Sequence, residues 1–206
     1  MSPATPVAAI SSRFVQLFAT IASEDIGTDK LPLVLAEMNL PQSAIREETL
    51  GHLDSRHAAI FYATFQQALR LYYGRGAWGI LLRIGRKMWE RMVAQANIRE
   101  KAELDIARRL PVPARRRRVL DLVAERLGEG GGKASVHLLD IDLLLADHAS
   151  AAASNQSSEK PICFVTLGLI QGALFWATGQ EADVEEIACK AAGAPACEFK
   201  ITFGGN

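Results

Sequence analysis

The end of the chain concentrates the residues best suited to bind a metal ion. Cys163 lies at the start of a predicted helix, where aligned backbone amides favour its thiolate form. Glu186, Cys189 and Cys197 lie on or beside a predicted hairpin. In a hairpin symmetric about Gly193, Cys189 and Cys197 are directly opposed, which brings their thiols close together. Three thiolates and one carboxylate can complete the tetrahedral shell of a structural zinc ion.

Spacing along the strand complicates the part played by the carboxylate. Glu186 and Cys189 are three residues apart, and a regular strand places them on opposite faces. Glu186 can therefore be a ligand only where the strand bulges or bends, and Asp183, Glu185 or water are the other choices. Three buried thiols without a metal, or a disulfide between Cys189 and Cys197, are the alternatives to a zinc site. The residues alone leave these choices open.

Composition sets the class of protein. The 206 residues are 49% hydrophobic, with 23 basic and 23 acidic side chains, so they can bury a core and do not indicate a nucleic-acid partner. Three cysteines cannot all pair, and no signal peptide opens the chain, so we expect a cytoplasmic protein in a reducing compartment. The uncharged run 161–180 contains glycines, glutamines and threonines, which indicates a buried helix rather than a membrane span.

The hydrophobic pattern predicts a helical first half and a mixed second half. Residues 1–40 are interpreted as an N-terminal helical and irregular segment, with a helix over about 12–23, and residues 41–206 as a single domain. A helical pattern begins at residue 41 and leads into a long helix that ends near residue 74. Further helices are predicted over 78–110, 114–127 and 161–178, with strands over 134–142, 184–189 and 197–203 and a loop over 149–159. This order predicts an α+β fold in which helices pack on a small antiparallel sheet.

The C-terminal residues resemble a known family. The stretch TGQEADVEEIACKAAGAPACEFKI, preceded by Gly168, Gly172, Ala173 and Leu174, looks like the closing signature of the 4-vinyl reductase domain family. GKASVHLLDIDLLLADHAS and PICFVTLGLIQGALFW fit the same family, so the resemblance covers about 133–203, and the helical half is similar in pattern only. The resemblance implies a ligand-binding domain related in fold to vesicle-tethering subunits and aromatic sensors. It also implies a zinc ion held by Cys163, Glu186, Cys189 and Cys197.

The resemblance extends to stand-alone proteins of the bacteriochlorophyll 4-vinyl reductase type. It implies a zinc-stabilised binding protein that carries or presents a chlorophyll-precursor tetrapyrrole, together with an enzyme partner of pigment biosynthesis. The alternative is an effector-sensing module for an aromatic or lipid-like ligand, acting through a protein partner. No dinucleotide fingerprint or iron–sulfur cysteine set is present in the sequence, so any 4-vinyl reductase activity would need an external reductant. We also expect a homodimer.

Aromatic residues at helical spacing and one histidine are the candidates for lining a ligand cavity between the long helices and the sheet. They are His57, Phe61, Phe65, Tyr72, Trp78, Trp89 and Trp176. His57 is included because imidazole can ligate a tetrapyrrole metal and because it opens the helix that bears Phe61 and Phe65. Ordinary core packing also explains this aromatic spacing.

Four consecutive arginines, Arg115 to Arg118, open the helix predicted over 114–127. Cations at a helix start oppose the macrodipole, so this run requires anionic neighbours or solvent. Ring propionates, lipid headgroups and a partner's acidic surface are the candidates, with a solvated helix start as the alternative.

Overall fold

The computed structural model describes residues 7–204, and within that range the chain forms eight α-helices and four β-strands. The helices are α1 (Ser12–Ile26), α2 (Leu31–Ala36), α3 (Glu47–Gly51), α4 (Ser55–Tyr73), α5 (Ala77–Ala94), α6 (Ile98–Arg109), α7 (Val112–Gly128) and α8 (Phe164–Thr178). The strands are β1 (Ala134–Leu139), β2 (Asp142–Asp147), β3 (Asp183–Ala188) and β4 (Cys197–Thr202). The predicted α+β class is confirmed.

The four strands form one antiparallel sheet in the order β1-β2-β4-β3. Leu145 pairs with Phe199 across β2 and β4, and both side chains are fully buried against the helices. The prediction of one β segment over 134–142 was wrong, because the chain turns at Asp140 and returns as β2. Asp140 adopts a positive φ of 52°, which Asp tolerates better than most residues, and the turn leaves Ile141 exposed.

The helix predicted over 78–110 is two helices. α5 ends at Ala94, and α6 begins after Asn97, whose side chain accepts a hydrogen bond from the backbone N–H of Glu100 at 3.0 Å. The Glu100 carboxylate accepts in return from the Asn97 N–H at 2.8 Å, which completes a capping box. The break therefore needs neither glycine nor proline, the two residues that ended the other predicted helices.

Close packing of α5 on α8 forms the centre of the molecule. A Cβ atom on Gly85 would overlap the carbonyl oxygen of Val165, and one on Gly168 would overlap the carbonyl oxygen of Leu82. The two backbones approach this closely only because both positions are glycine. α8 is buried over most of its surface, as predicted for the uncharged run. Within residues 7–204, no helix is both long enough and apolar enough to cross a membrane.

The N-terminal helix packs into the same core as the rest of the chain. In α1, the Phe18 ring meets the rings of Tyr62 and Phe65 of α4 at centroid distances of 4.8 and 5.4 Å. Asp25 near the end of α1 accepts hydrogen bonds from Arg83 and Lys87 of α5. The predicted N-terminal segment thus contributes apolar and ionic contacts to both long helices.

Candidate metal centre

Cys163 is held at the start of α8. It is the residue before the first helical turn, its side chain is fully buried, and its backbone N–H donates to Oε2 of Glu186 at 2.8 Å. The hydrogen bond links the beginning of α8 to strand β3. The predicted position of this cysteine at a helix start is confirmed.

A bulge in β3 turns Glu186 toward the cysteines. Glu186 pairs with Phe199 of β4, but Ala188 pairs with the adjacent Glu198, so the register shifts between Glu186 and Ala188. The extra residue, Ile187, leaves both Glu186 and Cys189 buried on the core side. The condition under which Glu186 can join the site, a bulge in its strand, is therefore met.

The four predicted ligands form one buried cluster. Their ligand atoms all lie within 4.8 Å of one another. The Cys163 and Cys197 sulfurs are 3.4 Å apart, and Cys189 Sγ lies 3.9 Å from each of them. All three cysteines are free thiols, so the alternative of a Cys189–Cys197 disulfide is not formed. A buried group of three cysteines and one glutamate that could bind a metal is therefore present.

The distances fit a small tetrahedral ion. Zinc–sulfur bonds of about 2.3 Å in a tetrahedron place neighbouring sulfurs about 3.8 Å apart. The observed separations of 3.4, 3.9 and 3.9 Å bracket that value. Glu186 is 6% exposed, and its second oxygen, Oε1, has no hydrogen-bond partner within residues 7–204, so it is available to a metal.

Burial disfavours the ionised forms of Glu186 and of the three cysteines. Burial and the neighbouring charge of Cys189 raise the pKa of Glu186 to about 8. Hydrogen bonds from Cys163 and Cys197 lower the pKa of the Cys189 thiol, whereas the hydrogen bond to Cys189 is the main cause that raises the pKa of Cys163. Ionising all four groups together is therefore unfavourable unless a cation lies among them.

Two neighbours of the cluster were not identified from the sequence. The backbone N–H of Lys190 donates to Cys197 Sγ at 3.3 Å, and Ser150 Oγ lies 3.8 Å from Cys163 Sγ. Donors of this kind orient thiolates and stabilise their charge. Lys190 follows Cys189 directly, so the turn predicted after the cysteine could have indicated that this backbone N–H lies near the thiols. No sequence pattern places Ser150 beside Cys163.

The structure places the seven candidate ligand-binding residues in different environments. Phe65 and Trp89 are buried in the core, whereas Phe61, Tyr72 and Trp176 are partly buried against it. Trp78 is 56% exposed. His57 has an exposed side chain whose Nδ1 lies 2.6 Å from the Asp54 carboxylate. Their part in ligand binding remains a prediction.

The arginine run has partners within the chain. Arg115 donates to the carbonyl oxygens of Leu110 and Ala177, which ties the start of α7 to the end of α8. Arg116 lies over the ring of Phe203 at 3.9 Å. The other two arginines form ion pairs on the same helix, Arg117 with Asp121 and Arg118 with Glu125. These acidic neighbours offset the unfavourable macrodipole.

Comparison with known families places the buried cysteine–glutamate cluster in a recognised segment. Residues 147–203 match the model of the 4-vinyl reductase domain, and all four candidate ligands lie inside this range. The resemblance to the 4-vinyl reductase domain family is thereby confirmed for this segment. No curated protein matches the chain in sequence.

Solved structures share the architecture of the chain at low identity. An H-NOX protein from S. oneidensis in the Fe(II)NO ligation state aligns with a TM-score of 0.59 and 13% identity over 95% of this chain and 100% of that one. The Fe(II) unliganded H-NOX protein from K. algicida gives a TM-score of 0.60 and 12% identity over 96% and 98%. The phenol-responsive sensory domain of the transcription activator PoxR gives 0.48 and 14% over 68% and 73%. The H-NOX matches show that the helices and sheet of this chain follow a known fold.

Proposed function

We propose that this chain is a small-molecule binding domain whose C-terminal part is held together by zinc. The observation that supports zinc is the spacing of the three sulfurs, at 3.4 to 3.9 Å, beside a buried carboxylate oxygen without a partner among the described residues. Thiolates select zinc over magnesium or calcium, and zinc prefers four-coordinate tetrahedral sites. Cys163, Glu186, Cys189 and Cys197 would hold the ion.

The proposed ion would have a structural role. With four protein ligands it has no open position for substrate, so it supplies folding free energy rather than Lewis-acid chemistry. Its ligands come from the start of α8, the bulge of β3, the turn after β3 and the first residue of β4. Binding would therefore fix the end of the sheet to the central helix.

Elemental analysis tests whether the purified protein contains zinc. Protein purified without chelator is expected to contain one equivalent of zinc per chain. A strong chelator should remove it and lower the midpoint of thermal unfolding, and added zinc should restore that midpoint. Zinc far below one equivalent, with an unfolding midpoint that zinc does not raise, would refute the metal part of the proposal.

We further propose that the domain senses a hydrophobic effector and passes the signal to a protein partner. The 4-vinyl reductase-type segment and the H-NOX-like fold support a binding domain. The tetrapyrrole carrier of pigment biosynthesis is the second candidate, supported by the family resemblance. Positions of three of the four histidines favour the sensor, since His52, His57 and His137 are exposed, whereas His148 is half-buried directly after β2. An axial imidazole ligand normally projects into the ligand cavity instead.

Native mass spectrometry of protein from its own source separates the two candidates. A colourless protein that carries an aromatic or lipid-like mass is expected for the sensor. A bound mass with visible tetrapyrrole absorption would support the carrier and contradict the sensor. The same spectrum reports whether the chain forms the predicted homodimer. Absence of any bound mass, together with no stabilisation by small aromatic compounds, would contradict both.

A further inference from the structure

A cavity of about 400 Å³ lies between α1, α3, α5, α6 and α7, on the helical side of the molecule and away from the cysteine cluster. This volume falls in the lower part of the range of about 300–1,000 Å³ that small-molecule sites occupy. Phe14, Leu17, Leu50 and Met92 supply its apolar wall. No histidine lines it among the described residues. No chemistry was predicted for α1 from its sequence, yet this helix contributes a large share of the lining.

The acidic groups on one side of this cavity are already engaged. Arg126 forms ion pairs with Glu100 at 2.9 Å and Glu129 at 2.5 Å. Glu100 also accepts from the Asn97 backbone, and Glu129 accepts from the Ser11 hydroxyl. These carboxylates and Arg126 therefore satisfy one another and leave little capacity for a ligand.

Hydrogen-bond donors remain on the other side. Arg13 lines the cavity, is exposed, and has no ion pair within residues 7–204, and its charge is one of the smaller causes that lower the pKa of Glu100 across the cavity. Arg91 uses one amino group on Glu24 at 2.9 Å, and its guanidinium carries further donors. Glu47 is the one lining carboxylate without an ion pair in this part of the chain, and it is exposed at the start of α3.

A buried indole supplies an independent indication. Trp89 is 2% exposed, and its Nε1–H has no hydrogen-bond partner among the described residues. Trp89 lines a small void of about 20 Å³ that shares Met92, Glu100 and Arg126 with the larger cavity. The two spaces are therefore adjacent, with Met92 in the wall of both. A ligand acceptor atom could then satisfy the indole donor, whose burial is otherwise unfavourable.

We propose that this cavity is the ligand site and that it binds an organic anion with an apolar body. The apolar part packs on Phe14, Leu17 and Met92, and the anionic group pairs with Arg13 at the mouth, with Arg91 as a second donor. This inference rests on the proposed function, because it gives the binding domain a site and a ligand class. It differs from the cavity predicted between the long helices and the sheet.

Two fluorescent probes of similar size test the proposal with zinc-loaded protein. 8-Anilinonaphthalene-1-sulfonate is an anion with an aromatic body, and N-phenyl-1-naphthylamine is its neutral counterpart. We expect one saturable site for the anion. Arg13→Ala should weaken binding of the anion about fivefold and leave the neutral probe unchanged. Arg56→Ala, which removes an exposed arginine outside the cavity, is the matched control and should change neither probe.

Two further variants locate the site and its charge preference. Thr20→Trp places an indole in the cavity from an exposed position and should abolish binding of both probes, with near-ultraviolet circular dichroism confirming the fold. Glu47→Gln should leave binding of the anion unchanged or strengthen it. Tighter binding of the anion in Arg13→Ala, or equal effects of Arg13→Ala and Arg56→Ala, would overturn the anion assignment.

The outcomes separate this site from the broader function. Wild-type binding that persists in folded Thr20→Trp would overturn this site and leave the proposed binding function intact. If Thr20→Trp fails to fold, the comparison of Arg13→Ala with Arg56→Ala still tests whether the anion binds in this cavity. If the folded wild-type protein binds neither probe, this site is overturned, whereas the proposed binding function fails only if the protein also carries no bound mass and gains no stability from small aromatic compounds.

Discussion

At the scale of single residues, the cluster of three cysteines and one glutamate depends on residue types that the sequence displays and on one local irregularity of the strand that it does not. Three cysteines and a glutamate could be identified because few residue types bind zinc and because the hairpin opposes Cys189 and Cys197. The bulge at Ile187 could only be stated as a condition, since nothing in the strand's residue types specifies a bulge there. Ser150 was missed because its contact with Cys163 depends on the path of the loop after β2.

Adjacent glutamates on β3 provide a matched test of the fourth ligand. Glu186→Gln replaces the buried carboxylate with a neutral amide and should weaken zinc binding by at least about tenfold. The amide oxygen is a poor zinc ligand, and the substitution removes a negative charge from the site. Glu185→Gln changes the exposed neighbour, which was an alternative ligand on spacing alone, and should leave zinc affinity unchanged. Competition with a chromophoric chelator measures both. A larger loss for Glu185→Gln would assign the ligand to that residue instead.

Asp25 makes a pH-dependent contribution to stability. Burial of its carboxyl acts to raise the pKa, but hydrogen bonds from Arg83 and Lys87 and their charges outweigh burial, so the pKa lies below its ordinary value. A carboxylate with a lowered folded-state pKa contributes stability above its unfolded pKa of about 3.9 and loses it as the pH falls toward the folded value.

Urea unfolding of Asp25→Asn at several pH values tests this expected loss of stability in acid. At pH 7 the variant should be less stable than the wild type by about 1 kcal/mol, because the two cationic partners are partly exposed. The difference between the two proteins should shrink as the pH is lowered from about 5 through about 3.9. A difference that stays constant or grows in acid would show that the carboxylate is not held in its charged form by these contacts.

At the scale of elements, most helices followed from periodicity, and the errors have identifiable causes. α1, α7 and α8 were expected within a few residues of their observed bounds, and α4 was expected to end where it does, but the helical pattern from residue 41 is divided before α4 into a short 3-10 helix and α3. The break between α5 and α6 depends on a capping box, and the pair Asn97 and Glu100 was a visible but unused signal. The β1–β2 hairpin was missed because LLDIDLLLAD is nearly continuous in apolar residues and has no glycine at its turn.

Glycines at the α5–α8 contact should be intolerant of any side chain. Gly168→Ala would push a methyl group into the backbone of Leu82, and we expect a loss of about 3 kcal/mol or more in the free energy of unfolding. Gly79→Ala is the control, because its Cβ would meet no atom within 4 Å and α5 continues through it. That change should stabilise the protein by about 0.5–1 kcal/mol. Chemical denaturation measures both, and equal effects would contradict close packing.

At the scale of the whole molecule, two features divide the chain by role. The 4-vinyl reductase-type segment brings the cysteine cluster to the junction of the sheet and α8. The cavity with Arg13 lies among the helices of the first half, with Arg126 of α7 and Glu129, the residue after α7, in its wall. That cavity could not be predicted from one sequence, because it is formed by side chains distant in the chain whose meeting depends on how α1 packs against α3 and α5. The neutral total charge likewise gave no sign of the arginines that line it.

Zinc bound by three cysteines and one glutamate is the central claim, and X-ray absorption at the zinc edge tests it most directly. For protein purified without chelator, we expect three sulfur neighbours at about 2.3 Å and one oxygen at about 2.0–2.2 Å. In Glu186→Gln the number of sulfur neighbours should remain three, while the contribution from the oxygen neighbour changes. A shell dominated by nitrogen and oxygen, or a spectrum with fewer than three sulfurs in the wild-type protein, would contradict the site.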